Sequence, residues 1–280
     1  MKTVEEIERS IITTYRKKIW ANFIKAINEY KLINNGDKIA VCMSGGKDSF
    51  ILAKCMQELI KHGKIDFTLE FIVMDPGYNE ANLLLIKKNA QYLNIPIHIF
   101  TTDIFSSVAS IKDSPCYLCA RMRRGNLYAF AKELGCNKIA LGHHFDDVIE
   151  TILMSTLYGG EFRTMLPKLH SENFAGMELI RPLYLVREES IISWSKQNSL
   201  QFLNCACKFT DSLNNDKESL SKRKEIKELI KDLRKRSPYI EMNLFRSVEN
   251  VNLDTIISYR QGDKRHHFLD DYETVKEDEK

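Results

Sequence analysis

KIAVCMSGGKDSFIL, residues 38–52, decides the fold. Lys38–Met43 is a short apolar run of strand length, and a helical pattern continues from about Asp48 to His62. Between them Ser44-Gly45-Gly46-Lys47-Asp48-Ser49 turns the chain sharply. Glycines let a backbone approach a ligand closely, and a helix start presents unpaired N–H groups at the positive end of its dipole. Lys47 adds charge, and the Ser44 and Ser49 hydroxyls add donors, so the segment reads as an anion cradle of phosphate size. It is not a Walker A loop, because Val41 stands where that motif has its first glycine and Asp48 where it has Ser or Thr.

Outward from this stretch the same alternation repeats. Phe67–Met74 reads as a strand, Asn79–Tyr92 as a helix and Ile95–Thr101 as a third strand. A helix then runs from near Cys116 to Leu134, a fourth strand spans Lys138–Gly142, and the next helix starts near Asp146. This pattern implies an α/β fold, an open, mostly parallel sheet with helices on both faces and right-handed crossovers. Such sheets bind ligands beyond the carboxyl ends of their strands. Ser44–Ser49, Met74–Tyr78 and Gly142–Asp147 all fall at such ends and are expected to converge.

Thr3 and Glu6 have capping-box spacing, and Ile7, Ile11, Tyr15, Phe23, Ile27 and Tyr30 predict a helix that stops near Asn34–Gly36. Beyond about Leu157 the strand signal weakens. Gly159–Gly160 breaks a helix, Arg181–Pro182 opens an extended piece, and Glu188–Gln197 and Lys217–Arg236 read as helices. The expected organisation is an N-terminal helical segment (1–36), a ligand-binding domain (37–187), a helical C-terminal region (188–268) and a flexible acidic tail (269–280).

The chain has 280 residues, 44% of them hydrophobic, which is enough to bury a core. A formal charge of +3 does not by itself announce nucleic acid. No apolar run reaches bilayer length and the first residues are polar and acidic, so the expectation is a cytoplasmic protein with no membrane partner. Of seven cysteines, Cys42, Cys55 and Cys136 sit among apolar neighbours and read as core residues. The other four form two close pairs, Cys116/Cys119 and Cys205/Cys207. A C-x-x-C can hold a metal or form a redox disulfide. Four thiolates would suit zinc, although C-x-C is a tight bite for it, while three would leave one position of an iron–sulfur cluster open.

Gly142-His143-His144-Phe145-Asp146-Asp147 places two carboxylates at a helix start. They can cap the helix, or Asp146 or Asp147 can hold a magnesium ion or handle a proton. His143 and His144 read as positioning or packing groups. Arg121, Arg123 and Arg124 crowd the first cysteine pair and suit phosphate. Asp216–Arg236 carries nine Lys/Arg against five Asp/Glu along an apolar stripe, a composition that fits a packed helix with a wet face or an RNA contact. Arg16, Lys17, Lys18 and Trp20 could join it.

SGGKDS resembles the PP-loop of the ATP pyrophosphatases, which implies that Ser44, Gly45, Gly46, Lys47, Asp48 and Ser49 hold the pyrophosphate of ATP and that cleavage yields AMP. Gly142 belongs to a G-H-x-x-D-D segment comparable to one in that superfamily, and the backbone at Met74 corresponds to its adenine contact. The motifs in order, SGGKDS, C-x-x-C with Arg121-Met122-Arg123-Arg124-Gly125, LGHHFDD, Tyr158-Gly159-Gly160, Arg181-Pro182-Leu183 and Arg187-Glu188, resemble the tRNA 2-thiocytidine synthetase family from about Lys38 to Cys207. That resemblance implies a tRNA substrate with a cytidine of the anticodon loop as target, Mg2+ beside ATP, and a [4Fe-4S] cluster on Cys116, Cys119 and one of Cys205 or Cys207. Cys205 is favoured because it continues the apolar lead-in Phe202-Leu203. The family commonly has two residues between the later cysteines, and this chain has one. Catalytic roles fall on Lys47, Asp146, Cys116 and Cys119, RNA contacts on Arg121, Arg123 and Arg124, and the sulfur donor is a cysteine desulfurase or free sulfide. Related enzymes are often dimers, so a homodimer is a further expectation. The rival readings are a PP-loop ligase without a cluster and a nucleotide-sensing or RNA-binding module.

Overall fold

The computed structural model describes residues 2–102, 115–203, 217–270 and 272, with the backbone alone at 115–120 and 217–221. The chain opens with α1 (Val4–Ile12), closed at its start by the capping box between Thr3 and Glu6. The sequence pattern suggests one long helix here, but the helix breaks at Thr13, whose hydroxyl donates to the Arg9 carbonyl at 2.6 Å. A side chain that bonds its own backbone competes with the helical ladder. A π-helical turn (Arg16–Trp20) and α2 (Ala21–Glu29) follow, so the helical run ends at Glu29, ahead of the Asn34–Gly36 turn.

β1 (Asp37–Met43), α3 (Lys47–His62), β2 (Phe67–Asp75), α4 (Glu80–Tyr92), β3 (Ile97–Thr101), α5 (Pro115–Glu133), β4 (Lys138–Ala140) and α6 (Phe145–Gly159) then alternate as the sequence predicts. β5 (Lys168–His170) and β6 (Glu178–Ile180) complete a six-stranded sheet of order β3-β2-β1-β4-β6-β5. All neighbouring pairs are parallel except β5–β6. The extended piece expected to open at Arg181–Pro182 does not form: β6 ends at Ile180, and Pro182 lies in a turn. Helices α7 (Glu188–Gln197), α8 (Lys217–Arg236) and α9 (Ile240–Ser247) lead to an antiparallel ribbon of β7 (Ser258–Gln261) and β8 (Lys264–His267), in a region expected to be helical throughout.

β1 shows why its sequence is a continuous apolar run. Ile39, Val41 and Met43 join an apolar cluster on one face of the sheet, while Ala40 and Cys42 join a second cluster on the other, with Tyr128 and Ala131 of α5. A parallel strand buried on both faces has no wet side to alternate with. Cys42, Cys55 and Cys136 are buried in these cores. The first cluster extends without a break from Ile7 of α1 to Phe245 of α9. Two lysines are buried in polar seams. Lys138 bonds Asp37 at 2.8 Å and Glu178 at 3.0 Å, and so ties β1, β4 and β6 together. Lys54 bonds Glu8 of α1 at 2.5 Å and the Leu93 carbonyl at 2.9 Å.

Strand order reverses beside β1, because the chain runs from β1 outward to β2 and β3 and then crosses back to β4. The carboxyl ends of β1 and β4 therefore flank the crevice where such sheets hold ligands.

Candidate functional site

The loop after β1 enters α3 with Gly46 as N-cap, and α3 has no side-chain cap. Its first amides have no side-chain acceptor, the arrangement of an anion-binding helix start. Gly45 has φ +87, and a Cβ there would fall 2.7 Å from Leu203 Cδ1 and 2.9 Å from Ile86 Cδ1. No residue with a side chain meets both conditions. The Gly45 carbonyl also accepts the Leu203 amide at 3.1 Å, which lays the chain after α7 across the loop. Gly142, after β4, is close-packed in the same way: a Cβ would meet Asp48 C and O at 3.1 Å.

A cavity of about 830 Å³ opens above this loop. Its walls include Ser44, Gly46, Lys47 and Asp48, with Tyr78 from the turn after β2, Arg123 from α5 and Glu188 from α7. Lys47 Nζ lies 2.8 Å from Glu188 Oε1 and 3.2 Å from Asp48 Oδ2. Burial opposes the Lys47 charge, but Asp48 and Glu188 outweigh it and raise its pKa. Burial likewise works against Glu188, yet the bond to Lys47 keeps its pKa below the usual range. Asp48 goes the other way: burial raises its pKa against the pull of His144 and Lys47. Its Oδ1 is buried with no hydrogen-bond partner among the described residues.

The segment after β4 frames the crevice. His144 caps α6, exchanging bonds with Asp147. Asp147 also pairs with Arg223 of α8 at 2.9 Å. Burial opposes its charge, but His144 and Arg223 are among the groups that hold its pKa down. Asp146 Oδ2 accepts the Glu188 amide at 2.7 Å, so it fixes the start of α7 and with it the carboxylate that meets Lys47. His143 accepts from Arg181 Nε at 3.4 Å, and burial and Arg181 push its pKa down to about 4, so it is neutral at ordinary pH.

Three of the sequence-derived arginines separate. Arg123 lines the cavity with Lys47, whereas Arg121 and Arg124 line a second cavity of about 700 Å³ on another side of α5, with Tyr128, His170 and Phe174. Met74 is buried near the end of β2 and Ser49 at the start of α3. The backbone places Cys116 and Cys119 in the first turns of α5, while Cys205 and Cys207 lie outside the described residues. The basic excess of α8 is drawn inward. Arg223 and Lys227 pair with Glu150, and Lys227 also reaches Glu188 at 3.6 Å. Arg234 pairs with Glu241 at 2.5 Å. Glu188 carried no site role in the sequence reading; its only signal was its place after Arg187 in an ordered set of motifs.

Comparison with known proteins gives a consistent set of likenesses. A family described as a PP-loop domain matches residues 15–233. A tRNA-cytidine(32) 2-sulfurtransferase of Pelobacter propionicus is 36% identical over 81% of this chain and 83% of its own length. Proteins of the same description are 38% identical in Francisella philomiragia, over 86% of this chain and 92% of theirs, and in Coxiella burnetii, over 84% and 90%. Among solved structures, the U34-tRNA thiolase NcsA of Methanococcus maripaludis, with its [4Fe-4S] cluster, has the same fold at a TM-score of 0.64 and 23% identity, covering 82% of this chain and 76% of that one.

Proposed function

The chain belongs to the tRNA-cytidine 2-sulfurtransferases of the PP-loop family, and from that premise we propose that it thiolates cytidine 32 of tRNA at the expense of ATP. The observation that carries the reading is the shared cavity: the phosphate loop, Lys47, Asp48 and Arg123 of the cysteine-bearing helix line one space.

In this reading the triphosphate lies on the amides of residues 44–49. Lys47, held charged between two carboxylates, neutralises negative charge on the departing pyrophosphate as the cytidine O2 attacks the α-phosphorus. The resulting O2–P bond turns the base oxygen into part of a leaving group. Sulfide then adds at C2, the C2–O bond breaks and AMP departs with that oxygen. Asp146 acts as a positioning residue for Glu188. Arg121 and Arg124, in the neighbouring cavity, suit the phosphates that flank the target base.

A magnesium ion fits this chain at Asp48, a cavity-lining residue whose buried Oδ1, 3.8 Å from His144 Nε2, has no hydrogen-bond partner among the described residues and is a hard oxygen donor. It would screen the phosphate charge. A [4Fe-4S] cluster fits the donor chemistry of Cys116 and Cys119, with Cys205 or Cys207 as third thiolate. Positions 116, 119 and 123 fall on one stripe of α5 by helical periodicity, and Arg123 of that stripe lines the cavity. Leu203 lines it too, two residues before Cys205. When bound, the cluster would present sulfur to the activated base.

The test is anaerobic incubation of the purified protein with tRNA, ATP, Mg2+ and sulfide, followed by nucleoside mass spectrometry. The expected product is 2-thiocytidine at position 32 with tRNA-dependent AMP release. Cys116→Ala should abolish the thiolated base and leave ATP binding intact. AMP release with an adduct that lacks sulfur would point to a ligase instead, and no tRNA-dependent AMP would end the reading.

A further inference from the structure

The ribbon of β7 and β8 contributes no lining residue to either cavity described above, and its charge is arranged differently from that of α8. On α8 the cations nearest the site are neutralised by Asp147, Glu150, Glu188 and Glu241. On the ribbon, pairing sets Arg260 directly opposite Arg265, and Tyr259 opposite His266. Successive residues of a strand point to opposite faces, so one face carries the arginine pair and the other the two rings. Like charges directly opposite each other destabilise a strand pair, and a lone two-stranded hairpin is marginal in water.

Nothing among the described residues relieves that repulsion. Arg260, Lys264 and Arg265 are exposed and make no ion pair there; Arg265 reaches only the Ser258 hydroxyl, at 3.4 Å. Asp263, in the turn, is the single carboxylate of residues 258–267. The nearby carboxylate of Asp270 accepts the His267 amide at 2.8 Å. The opposite face is a stacking surface. Tyr259 and His266 lie 4.7 Å apart at 8°. On the arginine side His267, opposite Ser258, packs on Phe268 at 4.9 Å, and Phe268 and Tyr272 are exposed at the end of the ribbon.

Exposed guanidinium groups without anions, backed by a half-buried stacked ring pair, match the chemistry of flexible nucleic acid: phosphates on one side and unstacked bases on the other. We infer that the β7–β8 ribbon is an RNA-docking element, with Arg260 and Arg265 on backbone phosphates of the tRNA and the Tyr259–His266 face against an exposed base. A symmetric contact between two copies through this face would set arginine against arginine, which disfavours self-association there. The inference rests on the tRNA reading above.

The experiment is filter binding of the full chain to tRNA across a salt series, comparing the wild type with R260A/R265A and R260K/R265K, with ATP affinity and thiolation measured in parallel. The alanine pair should weaken tRNA binding about tenfold at moderate salt and lower the slope of log affinity against log salt by about 1.5 to 2. The lysine pair should restore most of that slope, and ATP affinity should stay at the wild-type value in both. Tyr259→Ala should weaken binding without changing the slope. Unchanged tRNA affinity and slope in the alanine pair would overturn the role of the ribbon, while thiolation by the wild type would leave the functional reading standing. A wild type that binds no tRNA would end both. A dimer lost in the alanine pair with tRNA binding intact would reassign the ribbon to self-association.

Discussion

Lys47, Asp48 and Glu188 form a charged cluster in the wall of the cavity, and in the proposed function their ionisation should set how ATP binding depends on pH. Lys47 is raised and Glu188 lowered, so that pair stays charged across the neutral range. Asp48 is the group that titrates early. Because burial raises its pKa, it regains a proton at a higher pH than an ordinary carboxylate as the solution is acidified. Apparent affinity for magnesium–ATP should therefore begin to fall at a higher pH on acidification than an ordinary aspartate would dictate, and Asp48→Asn should bind weakly with no acid limb. A wild-type affinity whose acid limb coincides with that of the Asp48→Asn protein would exclude Asp48 as the cation ligand. At this scale the loop was fully legible, since strand, glycines, lysine and helix start are contiguous. Glu188 was not, because it is 141 positions from Lys47 and only topology brings the two together.

At the scale of elements, the site depends on two backbones in near contact. Gly142 after β4 lies against the Asp48 carbonyl at the start of α3, and what a methyl group would meet there is backbone, which cannot rotate away. Gly142→Ala should cost about 1–3 kcal/mol of stability by overpacking and should also weaken ATP binding, since the shift falls on the phosphate loop. Chemical denaturation and nucleotide titration read the two effects; wild-type values in both would show that the contact yields. Elements with long periodic patterns, α3, α4 and α5, were legible to within a residue or two. β5 and β6 were missed because three residues are too few to display an alternation. The ribbon was missed because its alternation runs between polar and aromatic groups, not between core and solvent.

In the whole molecule the N-terminal helices are part of the core, and a buried charge fastens them. Lys54 has no exposed side-chain surface, and burial lowers its pKa against the support of Glu8. Glu8 bridges it to Lys61, while the Lys2 carbonyl and ammonium reach Tyr92 and Gln197. Removing one partner of a buried pair leaves the other uncompensated, so Glu8→Ala should cost about 3 kcal/mol and lower Tm by on the order of 10 °C. Lys54→Met in the same background should recover part of that loss, whereas a wild-type Tm in Glu8→Ala would mean that water or relaxation satisfies the lysine.

The bond from the Leu203 amide to the Gly45 carbonyl carries a consequence for timing. Two peptide groups joined in this way cannot slide past one another by more than a few tenths of an ångström without parting. Any shift imposed on Gly45 is thus handed on to Leu203, two residues before Cys205 in the sequence, so that the phosphate loop and the segment after α7 move as one.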